Sequence, residues 1–248
     1  MNIIKYRLFE PRLAPRQARV EVPGWTGNKE PRQNGALEQP WHCLPFIEGA
    51  QCGIELFYPH DHELHVTTRG GKLVLDGDFG PSPSAGRQWP PFRNFGDIYY
   101  TYQLLLDLQV PESMALRTEP HPRFYTSRAH DVPVAVPATL RTNWWPIISF
   151  VVFKSPPEGC THIFRPGEPF MQIVPMGLDQ PFTLVPMDEA EASERELQSR
   201  RIHASRATLA KDSTWLSATN TVFDGTYRHI LGAARAKEKE TPEKANDD

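Results

Sequence analysis

The stretch TTRGGKLVLDGDF, residues 67–79, contains the clearest structural signal in the chain. Two runs rich in β-branched and aliphatic residues flank the pair Gly70 and Gly71. Because glycine has no Cβ atom, it adopts without steric strain the positive φ values that a tight turn between antiparallel strands requires. The stretch therefore predicts a β-hairpin whose turn lies at the two glycines.

Short extended runs of the same kind recur along most of the chain, and those predicted as strands include YTYQLLLDLQV (residues 100–110), RFYTS (residues 123–127) and FTLVPM (residues 182–187). They are rich in β-branched and aromatic residues and are bounded by Gly, Pro, Asn or Asp, as strands commonly are. The 248 residues include 25 prolines, which are incompatible with long uninterrupted helices over most of the sequence. The pattern predicts a mainly β fold, namely a sandwich, a jelly roll or a small barrel.

The segment at residues 188–211 departs from the β pattern. It contains neither Pro nor Gly, is rich in Glu, Arg and Ala, and has only a weak apolar stripe through Leu197, Ile202 and Leu209. This composition predicts a helix with a largely solvated surface. A second, shorter helix is predicted over residues 225–237.

The chain is therefore expected to have three parts. The charged C-terminal residues lack apolar side chains and should be disordered. The expected parts are a β-rich domain at residues 1–187, a C-terminal helical segment packed on it at residues 188–236, and a disordered tail at residues 237–248.

Composition argues against several classes of partner. The formal net charge is −3 and the pI is about 6.3, so the chain lacks the overall basic character typical of nucleic-acid binding proteins. No apolar run has the length of a bilayer span or of a signal peptide. We therefore expect a soluble, cytoplasmic protein that binds neither nucleic acid nor membrane, and the sequence leaves homo-oligomer formation open.

The stretch YPHDHELHV, residues 58–66, holds three of the nine histidines. On an extended backbone His60 and His62 project from one face, and an H-x-H pair on a strand can place two imidazoles on one metal ion. Glu119 and His121 share a face in the same way if their proline-flanked segment is extended. Together the four residues predict a site for a divalent transition metal, Fe, Mn or Zn.

This set of three imidazoles and one carboxylate resembles the ligand set of cupins, which are jelly-roll proteins. The resemblance implies a cupin-like barrel and a metal-dependent enzyme of the oxygenase type. In cupins the carboxylate follows the H-x-H pair after a few residues, whereas Glu119 lies much later in this chain. Two other interpretations of the stretch stay open, an exposed turn rich in histidine and a single catalytic histidine without metal.

Aromatic residues and arginines cluster in two further stretches, WPPFRNFGDIYYTY and LRTNWWPIISF. Aromatic walls with a few polar groups are typical of small-molecule pockets, and arginine binds carboxylate or phosphate through two parallel hydrogen bonds. Core packing explains the rings equally well. The predicted pocket residues are Trp89, Phe92, Arg93, Trp144 and Trp145, and Arg117 and Arg141 are the predicted catalytic residues that orient an anionic substrate.

Two blocks of the chain resemble an uncharacterised family of bacterial and phage proteins, described as a domain of unknown function. The first block, residues 41–59, contains Cys43-Leu44-Pro45. The second, residues 140–176, contains Trp145-Pro146 and Gly167-Glu168-Pro169-Phe170. The resemblance implies a β-rich fold and no mechanism. The GEPF motif by itself is typical of a structural turn before a strand.

Two hypotheses of function follow. The first is a cupin-like, metal-dependent enzyme that acts on a small anionic molecule. The second is a β-sandwich without chemistry, a ligand-binding or assembly module. Its exposed helix at residues 188–211 and the Pro-, Gly- and Asn-rich N-terminal arm at residues 23–40 would serve protein contacts or self-association. The amount of metal bound to the purified protein discriminates between them.

Overall fold

The computed structural model describes eleven segments of the chain, and they belong to two compact units. The segments are residues 2–8, 14–19, 44–77, 92–94, 98–126, 132–145, 150–178, 183–209, 215–216, 222–223 and 226–240. One unit, here the β unit, comprises Met1–Thr26 and Glu48–Pro181. The other, here the helical unit, comprises Gly27–Ile47 and Phe182–Asp248.

Antiparallel strands are the main regular structure described in the β unit, as the sequence predicts. In chain order they are β1 (Lys5–Leu8), β2 (Arg16–Gln17), β3 (Ile54–Phe57), β4 (Leu64–Arg69), β5 (Lys72–Asp76), β6 (Phe92–Asn94), β7 (Tyr99–Gln103), β8 (Leu106–Gln109), β9 (Met114–Pro120), β10 (Thr139–Leu140), β11 (Phe150–Lys154), β12 (Thr161–Phe164) and β13 (Pro169–Gly177).

These strands form several open sheets. One has five strands in the order β10-β9-β13-β3-β2, two have three strands in the orders β11-β7-β6 and β12-β4-β5, and β1 pairs with β8. Among the described residues the sheets do not close into a barrel. The mainly β prediction is confirmed and a sandwich fits this arrangement, whereas the jelly roll and the cupin-like barrel stay predictions.

The hairpin predicted from residues 67–79 is present. β4 and β5 pair antiparallel, and Arg69 lies opposite Lys72 across the turn. Gly70 and Gly71 have φ values of +58° and +70°, the left-handed region that glycine adopts without strain. The Glu158 carboxylate accepts hydrogen bonds from both glycine amides, at 2.7 and 3.2 Å, and so satisfies two donors of the turn.

Aromatic side chains from several sheets form the centre of the core. The rings of Phe153, Phe164 and Phe170 lie 5.6 to 6.2 Å apart, and Tyr100 stacks on Phe153 at 5.3 Å. All four are buried. Because the four rings come from β7, β11, β12 and β13, their contacts hold separate sheets together, and burying side chains of this size is the main source of stability.

Three stretches predicted as strands have a different structure. RFYTS, residues 123–127, falls largely in a 3-10 helix at Pro122–Thr126, because proline at the first position suits a helical turn and lacks the donor a strand needs. The predicted strand at residues 100–110 is broken between β7 and β8. The described residues of FTLVPM, 183–187, form no strand, and all five are exposed.

The helical unit contains the predicted helices. They are α2 (Glu189–Leu209) and α3 (Thr226–Glu240), with the strand pair β14 (Trp215–Leu216) and β15 (Val222–Phe223) between them in the sequence. One short helix, α1 (Leu44–Gln51), was not predicted.

The tail predicted to be disordered overlaps the end of α3, and residues 241–248 lie outside the described segments. No helix in the described segments is both long and apolar enough to span a membrane.

Candidate functional site

The two histidines predicted to share one strand face do not do so. Residues 58–63 form no strand, residues 61 and 62 form a bend, and β4 begins only at Leu64. His60 is buried, with 6% of its surface exposed, whereas His62 is exposed. The alternation of side chains with period two applies only to extended backbone, so the bend removes the expected H-x-H pair.

The other two predicted ligands bind protein groups. The Glu119 carboxylate lies 2.6 Å from Nε of Arg117, in an ion pair on the surface of β9. His121 follows the end of β9 and is 1% exposed; its Nε2 lies 3.3 Å from Oε1 of Glu55 on β3. Arg117, predicted to orient a substrate, therefore pairs with a carboxylate that was predicted to bind metal.

The structure does not bring the four predicted metal ligands together. In the segments that it describes, no group of three or more His, Cys, Asp or Glu side chains is arranged to hold a metal ion. His60, His62, Glu119 and His121 all lie in those segments, so the set predicted from the sequence does not fit a divalent ion here. Binding of Fe, Mn or Zn stays a prediction that direct metal analysis decides.

The predicted aromatic pocket is only partly described. Trp144 and Trp145 form an edge-to-face pair with ring centroids 5.6 Å apart, and 64% and 44% of their surfaces are exposed. Arg141 is also exposed. Trp89 lies outside the described residues, as do the side chains of Phe92 and Arg93, whose backbone belongs to β6.

A different cleft opens in the β unit, next to the turn between β12 and β13. The amide of Glu168 donates to the carbonyl of Arg165 at 3.1 Å, and Gly167 has a φ of +74°. The backbone of Tyr58 holds the turn on both sides, since its carbonyl accepts from Gly167 N at 3.0 Å and its amide donates to Glu168 O at 2.9 Å. The turn is therefore a rigid support for the side chains on it.

Two arginines and one glutamate provide the charges of this cleft. Arg123, on the 3-10 helix, donates from Nη2 to Oε2 of Glu168 at 2.7 Å and from Nη1 to the carbonyl of Pro169 at 3.2 Å. Nη1 of Arg165 lies 4.0 Å from the same Glu168 oxygen. The Glu168 carboxylate thus lies between two guanidinium groups, so both arginines are placed to interact with an anionic group at this side of the cleft.

The other walls of the cleft are apolar. They include Phe124, Val132, Pro133, Ile163, Phe164 and Phe170, and the volume is about 290 Å³. Phe164 and Phe170 belong to the buried core, so this wall is fixed by packing. A concave surface with apolar walls and a few charged groups at one side is the usual form of a small-molecule site.

The exposed carboxylate of Glu63, which lies outside the cleft, offsets part of the positive charge of the cleft arginines. Oε1 of Glu63 lies 3.2 Å from Nε of Arg165, and its other oxygen lies 2.9 Å from Nε2 of His65. The hydrogen bond to His65 lowers the pKa of the Glu63 carboxyl, desolvation opposes this shift, and the charge of Arg165 lowers the pKa further. Glu63 therefore stays ionised near neutral pH and orients Arg165 at the edge of the cleft.

A buried ionic network supports the 3-10 helix that carries Arg123. The amide of Arg123 donates to Nδ1 of His121 at 3.2 Å, so Nε2 of His121 carries the proton and points to Glu55. Arg16 on β2 donates from Nε to the second oxygen of Glu55 at 2.7 Å. Burial lowers the pKa of His121 to about 4, although the hydrogen bond to Glu55 opposes the shift.

Sequence reasoning missed Arg123 and Arg165 as cleft residues. Both lie in stretches that were assigned structure only, a strand for RFYTS and a turn for FRPGEPF. One signal was present, since each arginine lies between a proline and an aromatic residue, and clustering with aromatic residues was the basis on which Arg93 and Arg141 were selected. Their proximity depends on how the 3-10 helix lies against the β12–β13 turn, which sequence spacing does not reveal.

Comparison with known proteins gives no family for this chain. No protein-family model matches it, and no curated protein matches it significantly. The chemistry of the cleft is therefore the basis on which a function is proposed.

Proposed function

We propose that the β unit binds a small molecule with an anionic group, such as a carboxylate, in the cleft between Arg123 and Arg165. This is the ligand-binding form of the second hypothesis drawn from the sequence. The observation that carries it is the position of the Glu168 carboxylate, whose Oε2 is 2.7 Å from Nη2 of Arg123 and 4.0 Å from Nη1 of Arg165.

Arg165 is the better placed of the two arginines to bind an incoming anion. Its side chain is 47% exposed, compared with 24% for Arg123. Arg123 also joins the 3-10 helix to the β12–β13 turn through its bond to the Pro169 carbonyl, which gives it a structural role. We therefore assign Arg165 as the principal contact and Arg123 as the residue that fixes the geometry of the site.

The apolar walls define the rest of the ligand. A ligand that covers Phe124, Val132 and Ile163 removes apolar surface from water, a gain of roughly 25 cal/mol per Å² before the costs of association, but the gain is small because polar atoms make up the larger part of the accessible lining. The volume of about 290 Å³ restricts the ligand to a small molecule. A small carboxylic acid with an aromatic or branched aliphatic body meets both conditions.

Isothermal titration calorimetry with 3-phenylpropionate tests this proposal. The Arg165→Gln variant should weaken binding by about tenfold or more, because a hydrogen bond to a charged group contributes about 1.5–3 kcal/mol. Arg117→Gln is the matched control, since Arg117 also pairs with a glutamate but does not line the cleft. Equal affinity for the wild type and both variants, or a loss of binding in Arg117→Gln alone, would contradict the proposal.

A further inference from the structure

The charges of the cleft define the ligand class more narrowly, and this step rests on the proposed function. We infer that the ligand is a small zwitterion, a free α-amino acid with an apolar side chain. In this arrangement its carboxylate contacts Arg165, its ammonium group contacts Glu168, and its side chain lies against Phe124, Val132 and Ile163.

The first argument is charge balance. The cleft is lined by two arginines and Glu168, and Glu63 pairs with Arg165 at its edge, so the formal charges sum to zero. A simple anion gains from the arginines but meets the fixed carboxylate of Glu168 beside them. An ammonium group on the same ligand turns that repulsion into attraction.

The second argument is the spacing of the charges. Glu168 and Arg165 are three residues apart on one tight turn, with Oε2 and Nη1 4.0 Å apart. The negative and positive groups of the cleft are thus neighbours, as the ammonium and carboxylate groups of an α-amino acid are. A ligand with one charge, or with two widely separated charges, can pair with only one of the two side chains, Glu168 or Arg165.

The third argument is size. A volume of about 290 Å³ lies at the lower limit of about 300–1,000 Å³ that small-molecule sites usually have. That space suits one amino acid with a medium or large apolar side chain. It excludes a folded peptide or a dinucleotide bound wholly within the cleft.

Four probes with matched structures test the inference by calorimetry on the full chain. L-phenylalanine has both charges and the ring, 3-phenylpropionate lacks the ammonium group, 2-phenylethylamine lacks the carboxylate, and glycine lacks the ring. We expect L-phenylalanine to bind about tenfold more tightly than 3-phenylpropionate and 2-phenylethylamine, because each of these loses the contacts of one charged group. The advantage over glycine should be about threefold to fourfold, because the cleft offers little apolar surface for the ring to cover.

The variant Glu168→Gln tests the ammonium contact directly. Glutamine keeps the shape of the side chain and can still accept a hydrogen bond from Arg123, but it has no charge. The variant should weaken the binding of L-phenylalanine about tenfold and leave 3-phenylpropionate unchanged or bound more tightly, because the repulsion is removed. Arg117→Gln should change neither affinity. Circular dichroism confirms that each variant is folded, and if Glu168→Gln does not fold, the ranking of the four probes by the wild type decides the question.

The outcomes separate this inference from the proposed function. If 3-phenylpropionate binds as tightly as L-phenylalanine, or if Glu168→Gln weakens the binding of neither compound, the inference of a zwitterionic ligand is wrong. The proposal that the cleft binds an anionic molecule is then unaffected. If neither compound binds at millimolar concentration, both the inference and the proposed function are wrong.

Discussion

His121 and Glu55 form a buried pair in which Nε2 of the imidazole lies 3.3 Å from Oε1 of the carboxylate, and both side chains are at most 2% exposed. The pair joins the end of β9 to β3. Arg16 also binds Glu55, so the buried carboxylate has a permanent cation on one side and a neutral imidazole donor on the other. A buried charge with fewer partners would destabilise the fold.

The low pKa of His121 predicts a specific dependence of stability on pH. Burial lowers this pKa from its ordinary value of 6.5 to about 4, so between these values the unfolded chain binds a proton that the folded chain does not. The contribution to stability is present above pH 6.5 and is lost as the pH falls towards 4, by on the order of 3 kcal/mol. Urea unfolding at several pH values measures it.

The variant His121→Gln shows whether this imidazole is responsible. Glutamine can donate to Glu55 but does not titrate, so the slope of unfolding free energy against pH between 4 and 6.5 should become smaller. The exposed His62 provides the control variant His62→Gln, which should keep the wild-type slope. An unchanged slope in His121→Gln would mean that other groups cause the acid sensitivity.

Removal of Arg16 should destabilise the β unit more than removal of a surface arginine. Glu55 is 2% exposed, and Arg16→Met leaves its charge with weaker compensation, at a cost of roughly 1–3 kcal/mol in unfolding free energy. Arg7→Met is the comparison, because Arg7 is 60% exposed and its pair with Asp107 at 3.0 Å should contribute less than about 1 kcal/mol. If the two variants lose equal amounts of unfolding free energy, the burial of Glu55 does not determine how strongly the loss of its arginine partner destabilises the fold.

The sequence predicts strands well where their signal is local. The β4–β5 hairpin depends on two glycines and the flanking strand residues, all within a few positions, and it is present as expected. α2 is present for the same reason, since a long segment without Pro or Gly has no strong alternative to a helix. The 3-10 helix at Pro122–Thr126 was missed, because its aromatic residues indicate a strand while its first proline favours a helical turn.

The candidate site could not be predicted in the same way. The metal hypothesis required residues 58–63 to be extended, and a bend there separates a buried His60 from an exposed His62. The cleft depends on Arg123 and Glu168, which are far apart in the sequence and meet only because the 3-10 helix lies beside the β12–β13 turn. Contacts of this kind depend on the packing of strands that are distant in the sequence, so they cannot be predicted from residue spacing.

Gly53 should be far less tolerant of substitution than the glycines of the hairpin turn. Its φ is +117°, and a Cβ atom placed on it would lie 2.5 Å from the carbonyl oxygen of Ile173 on β13. Gly53→Ala therefore combines backbone strain with a clash against a paired strand, and we expect a loss of at least about 3 kcal/mol. Gly70→Ala has strain alone, with no atom within 4 Å, and should cost about 1–2 kcal/mol. Thermal unfolding compares the stability of the two variants. If both lose the same stability, the backbone shifts enough to relieve the clash with the Ile173 carbonyl.

Asp188 should stabilise the first turn of α2. Its carboxylate accepts from the amide of Glu191 at 2.9 Å, and the Glu191 carboxylate accepts from the amide of Asp188 at 3.0 Å, which is a reciprocal capping box. Asp188→Ala removes the cap and the negative charge at the helix N-terminus, and should destabilise this turn by about 1 kcal/mol. Hydrogen exchange of the amides of residues 189–194 should then be about fivefold faster, since a loss of about 1 kcal/mol corresponds to roughly that factor. The control Glu196→Ala removes an exposed pair with Arg200 in the middle of the same helix and should leave exchange in the first turn unchanged. If both variants accelerate exchange equally, the stability of α2 depends on its whole length and the cap has no separate effect.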